Sequence, residues 1–255
     1  MILLKKGKKK IESDTDTKMQ ENRTGYQKRI DTIIGDFSKR SVTYDDYIVN
    51  VVPHHREMLK ALVDNIPFSQ DRPVRILELG CGTGIATCQI IKKYPGARMK
   101  CIDMSSDMLD LARKKLAGFP TIEFILADYT TYKFEEEYDA VVSFLSFMYL
   151  ADDKTRRSLF KKAFDLLAQG GVFISGESNI SRSEYCEKVN RERWIQHMRK
   201  SYSDDYIKTE VLDKAKKHGK PSVLTDEIKY LEETGFDQID IFWKYYGFSV
   251  YGAIK

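Results

Sequence analysis

The sequence predicts an α/β protein: a seven-stranded, mostly parallel sheet closed by a C-terminal antiparallel hairpin, with a helical N-terminal segment and a helical cap insertion. Three observations carry that prediction. Short apolar runs alternate with helical stretches from Val74 to Glu177, the pattern of parallel strands joined by helical crossovers. Two aromatic-rich runs, 238–245 and 248–254, follow each other around Tyr246 and Gly247, joined too tightly to be parallel. Between the last crossover strand and the last helix, 181–220 is polar and mostly helical in pattern.

The elements follow in order. Residues 1–25 are polar, charged and poor in aromatics, and read as a flexible basic leader. Composition changes at Phe37, and Tyr44, Tyr47, Ile48, Val51 and Val52 then recur at helical spacing. Pro53 breaks that run and is assigned to the first turn of a second helix, HHREMLKALVDNI. Strands are expected at VRILEL (74–79), RMKCID (98–103), TIEFILAD (121–128), YDAVVSFL (138–145) and GVFISGE (171–177). Helices are expected at 85–94, 107–116 and 155–168, and TDEIKYLEETGF forms a last helix ending at Gly235. Residues 26–255 read as one domain, with the cap at about 181–220.

Bulk properties exclude several classes. The formal charge is +4, but five of the first ten residues are lysine, so the body is close to neutral. A solvated tail explains the basic balance better than a nucleic-acid or membrane tether. No apolar run approaches the roughly 18 residues that cross a bilayer, so no membrane partner is expected. The cysteines at 81, 88, 101 and 186 form no C-x-x-C pair. No metal site is therefore expected, and reduced thiols fit a cytoplasmic protein.

The chemistry concentrates in ILELGCGTGIAT, 76–87. Gly80, Gly82 and Gly84 stand where a strand turns into a helix. Bare backbone there admits a ligand and positive φ, and the helix offers free N–H groups to an anion. A dinucleotide fingerprint needs glycine where Ile85 stands, and no G-K-[ST] closes a phosphate loop.

Glu78-x-Gly80-x-Gly82-x-Gly84 resembles motif I of the class I S-adenosylmethionine-dependent methyltransferases, a Rossmann-like family. The resemblance implies S-adenosyl-L-methionine as cofactor and a set of contacts. Glu78, Gly80, Cys81, Gly82 and Gly84 belong to the loop. Asp103, ending the second strand, takes the ribose hydroxyls. Met104 lies against the adenine. Asp128, in LADYT, takes the adenine amino group, with Tyr129 supplying a neighbouring backbone contact. Phe144, with Leu145 beside it, walls the sulfonium.

Residues 37–255 also resemble the carboxy-S-adenosylmethionine synthase and wobble-uridine tRNA methyltransferase-like branch, through FSKRSVTYDDYIVNVVPHHREML and the tail FWKYYGFSVYGAIK. Two departures favour methyl transfer. The loop is the G-C-G-T-G of methyl donors, and His54 and His55 stand where the synthases carry a tyrosine.

Methyl transfer is an in-line displacement in which positioning provides most of the acceleration. If a base is used, His55 is the first candidate, with His197 and Tyr202 in the insertion and Tyr149 after the fourth strand. Arg199 is the nearest match to the carboxylate-binding arginine of the synthases. Tyr246 belongs to an aromatic group with Trp243, Tyr245 and Phe248 that could face substrate. No Pro-Cys and no [DN]-P-P-[YFW] is present, which argues against cysteine-mediated and planar-amine routes. The expected partner is a small-molecule or nucleoside acceptor. From 191 to 220, nine Lys/Arg face five Asp/Glu, a modest patch that keeps tRNA in second place. A synthase-like activity, a non-catalytic binding role and a homodimer stay open.

Overall fold

The computed structural model describes residues 25–255; the basic leader, but for Gly25, lies outside them. Seven strands form one sheet in the order β3-β2-β1-β4-β5-β7-β6. They are β1 Arg75–Leu79, β2 Arg98–Asp103, β3 Ile122–Leu126, β4 Tyr138–Phe144, β5 Leu167–Ser178, β6 Asp237–Tyr245 and β7 Phe248–Ile254. The first five are parallel, and β7 runs antiparallel to both β5 and β6.

The strand pattern sorts side chains onto two faces with period two. Ile76, Ala140, Val142, Val172 and Ile174 join one apolar cluster. Leu77, Val141 and Phe173 join the other. Helices α3 (His55–Asp64) and α4 (Ile85–Lys93) cover the first face, while α6 (Asp153–Leu166) and α10 (Leu224–Thr234) cover the second. Helix α5 (Ser106–Lys115) begins at Ser105, whose hydroxyl accepts the Met108 N–H. Helix α10 stops at Gly235, φ 103°, a left-handed cap that suits glycine.

Two local expectations are corrected. The α6 helix ends at Leu166 and β5 begins at once, because Leu167 pairs with Tyr138 across an irregular register. The Gln169-Gly170-Gly171 stretch thus lies inside a long strand and not before it. Pro53 lies in a turn ahead of α3; His54, at φ 54°, reorients the chain before the helix starts.

Residues 181–220 form α7 (Glu184–Met198), α8 (Asp204–Tyr206), a π-helical turn Ile207–Leu212, and α9 (Asp213–His218). A small cluster of Val51, Met198, Ile207 and Val211 fastens this segment to α2 (Tyr44–Val51). Residues 25–38 are helical and are termed α1. The sequence reading placed 26–36 in the domain but assigned no helix there, since it took up the helical spacing only from Phe37. Ile30, Ile33, Ile34 and Phe37 nonetheless repeat at i, i+3, i+4, i+7, the signal of an amphipathic helix. No helix among the described residues is long and apolar enough to cross a membrane.

Candidate active site

The strand order reverses between β1 and β4, and sheets of this kind hold ligands in the crevice at that point. Two adjoining chambers occupy it, the second the larger. Ile33, Phe37, Tyr44, Ile48, Leu145 and Tyr149 line both and form their common wall. Leu145 holds φ 55°, an uncommon conformation for a branched residue. It follows β4 and donates its N–H to the Gly176 carbonyl at 2.7 Å.

The three loop glycines serve different ends. A Cβ on Gly80 would come within 2.0 Å of the Ser146 hydroxyl oxygen, so that glycine makes room for protein. A Cβ on Gly84 would meet Leu116 and Ala112 on the neighbouring helix side. Only Gly82 faces open space, at φ 53°, and it lines the first chamber. Its N–H is held by Asp103 Oδ2 at 2.8 Å, and Asp103 Oδ1 accepts the Ser105 N–H at 2.9 Å. Each carboxylate oxygen keeps a further lone pair. Burial raises the Asp103 pKa, against the pull of those N–H donors.

Glu78 is buried at the end of β1 and accepts the Thr87 hydroxyl at 2.5 Å. Burial pushes its pKa up to about 7. Cys81 is buried beside Cys101, and hydrogen bonding to it together with burial raises the Cys81 thiol. Met104, Tyr129 and Phe144 line the first chamber. The Tyr129 hydroxyl lies 3.0 Å from Ser146 Oγ. Asp128 does not line the chamber; its neighbours Tyr129 and Thr130 do. Its Oδ2 accepts the Tyr26 hydroxyl at 2.7 Å, and its Oδ1 accepts the Thr130 N–H and hydroxyl. The α1 helix is thereby tied to the acid that the resemblance gives to adenine.

His55 is 4% exposed, and both ring nitrogens are buried without a partner among the described residues. The ring meets Phe144 edge-on at 5.3 Å. Burial pushes its pKa down to about 4, so the imidazole is neutral. It lines the first chamber and not the second. Tyr149 lines both, and burial raises its phenol.

The other candidates lie outside both chambers. Arg199 is on the surface, where Nε and Nη2 hold the two oxygens of Asp204 at 2.7 and 2.9 Å. Tyr202 stacks on Tyr206, centroids 4.6 Å apart. His197 turns toward α2, its Nε2 buried and unpartnered. Tyr246 takes the left-handed position of the hairpin turn, φ 48°. For His197 the reason is rotational: α7 presents Glu187, Asn190, Arg191 and Trp194 to the second chamber, not His197. Of the terminal aromatics only Phe248 reaches a chamber.

The fit to an adenosyl amino acid rests on the chain's own groups. Asp103 has lone pairs to spare at one end of the first chamber, Gly82 leaves room beside it, and the unpartnered His55 nitrogens offer one donor and one acceptor. Leaving such nitrogens unpaired costs roughly 1–3 kcal/mol, a penalty that a polar ligand removes.

Comparison with known proteins agrees. Residues 76–171 match the family model described as a methyltransferase domain. Malonyl-[acyl-carrier protein] O-methyltransferase 1 of Ilyobacter polytropus is 33% identical over 155 residues, 60% of this chain and 55% of that protein. The chain thus spans little more than half of that relative's length. The carboxy-S-adenosyl-L-methionine synthase of Nautilia profundicola is 26% identical over 216 residues, 83% of this chain and 90% of that protein. Among solved structures, Haemonchus contortus phosphoethanolamine N-methyltransferase 2, in complex with S-adenosyl-L-methionine, superposes with a TM-score of 0.63 at 14% identity. That alignment covers 86% of this chain and 57% of the other.

Proposed function

We propose, from the chain's membership of the S-adenosylmethionine-dependent methyltransferase family, that it transfers a methyl group from S-adenosyl-L-methionine to a small-molecule acceptor. One observation carries the reading: a chamber holding the Asp103 carboxylate and the open Gly82 shares a wall with a second, larger chamber. Donor and acceptor then meet at that wall.

The bound donor supplies an electrophilic methyl group. The protein's part is to bind, orient and exclude water. Asp103 holds the ribose hydroxyls, Met104 and Met108 pack the base, and Phe144 offers a ring to the sulfonium. Glu78 and Cys81 support the loop from beneath. His55 pairs with the donor's amino-acid end. Tyr149 faces both molecules. The largely apolar second chamber suits a small molecule better than tRNA, and the four unpaired thiols suit the cytoplasm.

A second reading, a synthase-like reaction on the same donor, is supported by the near full-length alignment with a carboxy-S-adenosyl-L-methionine synthase. The surface position of Arg199 weighs against it. Mass analysis of the co-purified nucleoside separates the two, since a carboxylated donor is heavier by one CO2. The primary test is calorimetry with S-adenosylhomocysteine. Asp103→Ala should weaken binding by more than about a hundredfold, given roughly 1.5–3 kcal/mol for each of the two charged hydrogen bonds lost. Wild-type protein that ignores the nucleoside would overturn the reading.

A further inference from the structure

We infer that the acceptor is a hydrophobic monocarboxylic acid, methylated on its carboxylate oxygen; this rests on the two-chamber reading above. The argument starts from the common wall. Its six residues are four apolar side chains and two phenols, Tyr44 and Tyr149. None of the six is a histidine or a carboxylate. Phe37 stands edge-on to both phenols, centroids 5.8 and 5.3 Å away. Neither phenol oxygen hydrogen-bonds any described residue. Burial holds both hydroxyls protonated, so they donate hydrogen bonds and take no proton.

The nearer titratable groups stand off that wall. His218, whose Nε2 is held by Asp36 Oδ2 at 2.8 Å, lines the second chamber alone. His55 belongs to the donor chamber alone. Asp45 accepts the Thr83 hydroxyl through Oδ1 and pairs with Lys115 through Oδ2. An acceptor that must lose a proton to become nucleophilic has no base at the point of reaction. The nucleophile must bring its own lone pair, and two phenol donors suit an anionic oxygen.

The rest of the second chamber completes the ligand's outline. Arg40 and Lys214 both bind Glu210. Glu187 accepts the Ser181 N–H at 2.8 Å. Asn190 donates to Ser181 Oγ, and Asn179 accepts from Ser249. Among the described residues, Glu187 and Arg191 are the charged lining residues without an ion pair, and Arg191 is the cation of the two. What remains is apolar wall, chiefly Tyr47, Val51, Trp194 and Phe248. That surface takes a hydrophobic body, and one free cation draws in a single negative charge.

The step balances without a proton. A carboxylate lone pair forms the new O–CH₃ bond, the CH₃–S bond breaks, and its electron pair goes to sulfur. A neutral ester and a neutral thioether result. Opposite charges cancel, and an apolar chamber favours such a step because it solvates the separated ions poorly.

The test uses the full chain with S-adenosyl-L-methionine and two probes, dodecanoate and 4-phenylbutanoate, against dodecylamine and 4-heptylphenol. The expected product is a methyl ester, identified by mass. Its rate of formation should be flat between about pH 6 and pH 9, because a carboxylate is already ionised there. The double variant Tyr44→Phe/Tyr149→Phe should lose about ten- to a hundredfold of that rate. Binding is read without turnover: in Trp243→Phe, whose remaining tryptophan is Trp194, dodecanoate should change the emission of the S-adenosylhomocysteine complex. Binding of S-adenosylhomocysteine with no ester from either acid, or transfer to the amine or phenol alone, overturns this inference and leaves the donor reading standing. Failure to bind S-adenosylhomocysteine overturns both.

Discussion

Alanine at Gly80 and at Gly82 should do opposite things, though the two glycines are one residue apart. Both hold positive φ, 76° and 53°, so any side chain costs about 1–2 kcal/mol in backbone terms. At Gly80 a second cost follows. The new Cβ would lie 2.0 Å from Ser146 Oγ and 2.6 Å from Ser146 Cβ. The hydroxyl can rotate away; the Cβ is fixed by its backbone. Overpacking of this kind adds about 1–3 kcal/mol, so Gly80→Ala should destabilise by roughly 2–5 kcal/mol in all. At Gly82 nothing lies within 4 Å. Gly82→Ala should therefore keep the fold within about 2 kcal/mol of wild type and lose affinity for S-adenosylhomocysteine, because its methyl enters the first chamber. Urea unfolding and calorimetry read the two effects separately. A third variant, Gly80→Ala/Ser146→Gly, removes the clash and leaves the φ cost. It also deprives the Tyr129 hydroxyl of its partner, at about 1 kcal/mol, so recovery should be partial. Equal destabilisation at the two glycines, or no recovery in the double variant, would refute the reasoning.

Other outcomes are expected. Arg156 is 1% exposed and binds Glu227 Oε1 at 2.7 Å as well as the Phe147 and Lys220 carbonyls; Arg156→Met should cost about 3–5 kcal/mol in urea unfolding, because buried acceptors lose their donor. Glu177 is buried, and burial with the nearby Glu227 charge raises its pKa from 4.5 to about 7. A raised carboxyl stabilises the fold fully below its unfolded pKa and loses that contribution as pH rises through the folded value. Wild-type stability should therefore fall between about pH 4.5 and pH 7 relative to Glu177→Gln, as read from urea midpoints. Tyr26→Phe removes the hydroxyl that binds Asp128, and stopped-flow should show S-adenosylhomocysteine leaving about tenfold faster, the equivalent of roughly 1.4 kcal/mol.

The parallel sheet was legible because buried strands read as mostly apolar runs rather than alternating ones, and RILEL and YDAVVSF, broken only by Glu78, Asp139 and Ser143 after the exposed Arg75, are such runs. The loop was legible because three glycines at alternate positions are rare in a buried turn. The role of each glycine was not. Whether a missing side chain makes room for Ser146 or for a ligand depends on what packs opposite, and Ser146 is 66 residues away in sequence. The same limit applies to the cap. Its helical pattern was visible, but α7 is polar all round, so nothing in the sequence tells which side turns inward. Trp194 faces the second chamber, while His197 and Tyr202, which carry more inviting chemistry, do not. The α1 helix is the omission that mattered most. Its apolar spacing was present, but the reading followed the change of composition at Phe37 and gave residues 26–36, just after the leader, no element.

That helix makes the two halves of the site answer to one movement. Ile33 and Phe37 face both chambers, and Arg29 clamps the same segment to the carbonyls of Tyr149 and His218 at 3.0 and 2.7 Å. A displacement of residues 25–38 large enough to free a spent nucleoside also unroofs whatever lies next door. Departure of the two products should then be recorded as one kinetic event, and solvent should reach the amides of 25–38 on that same clock.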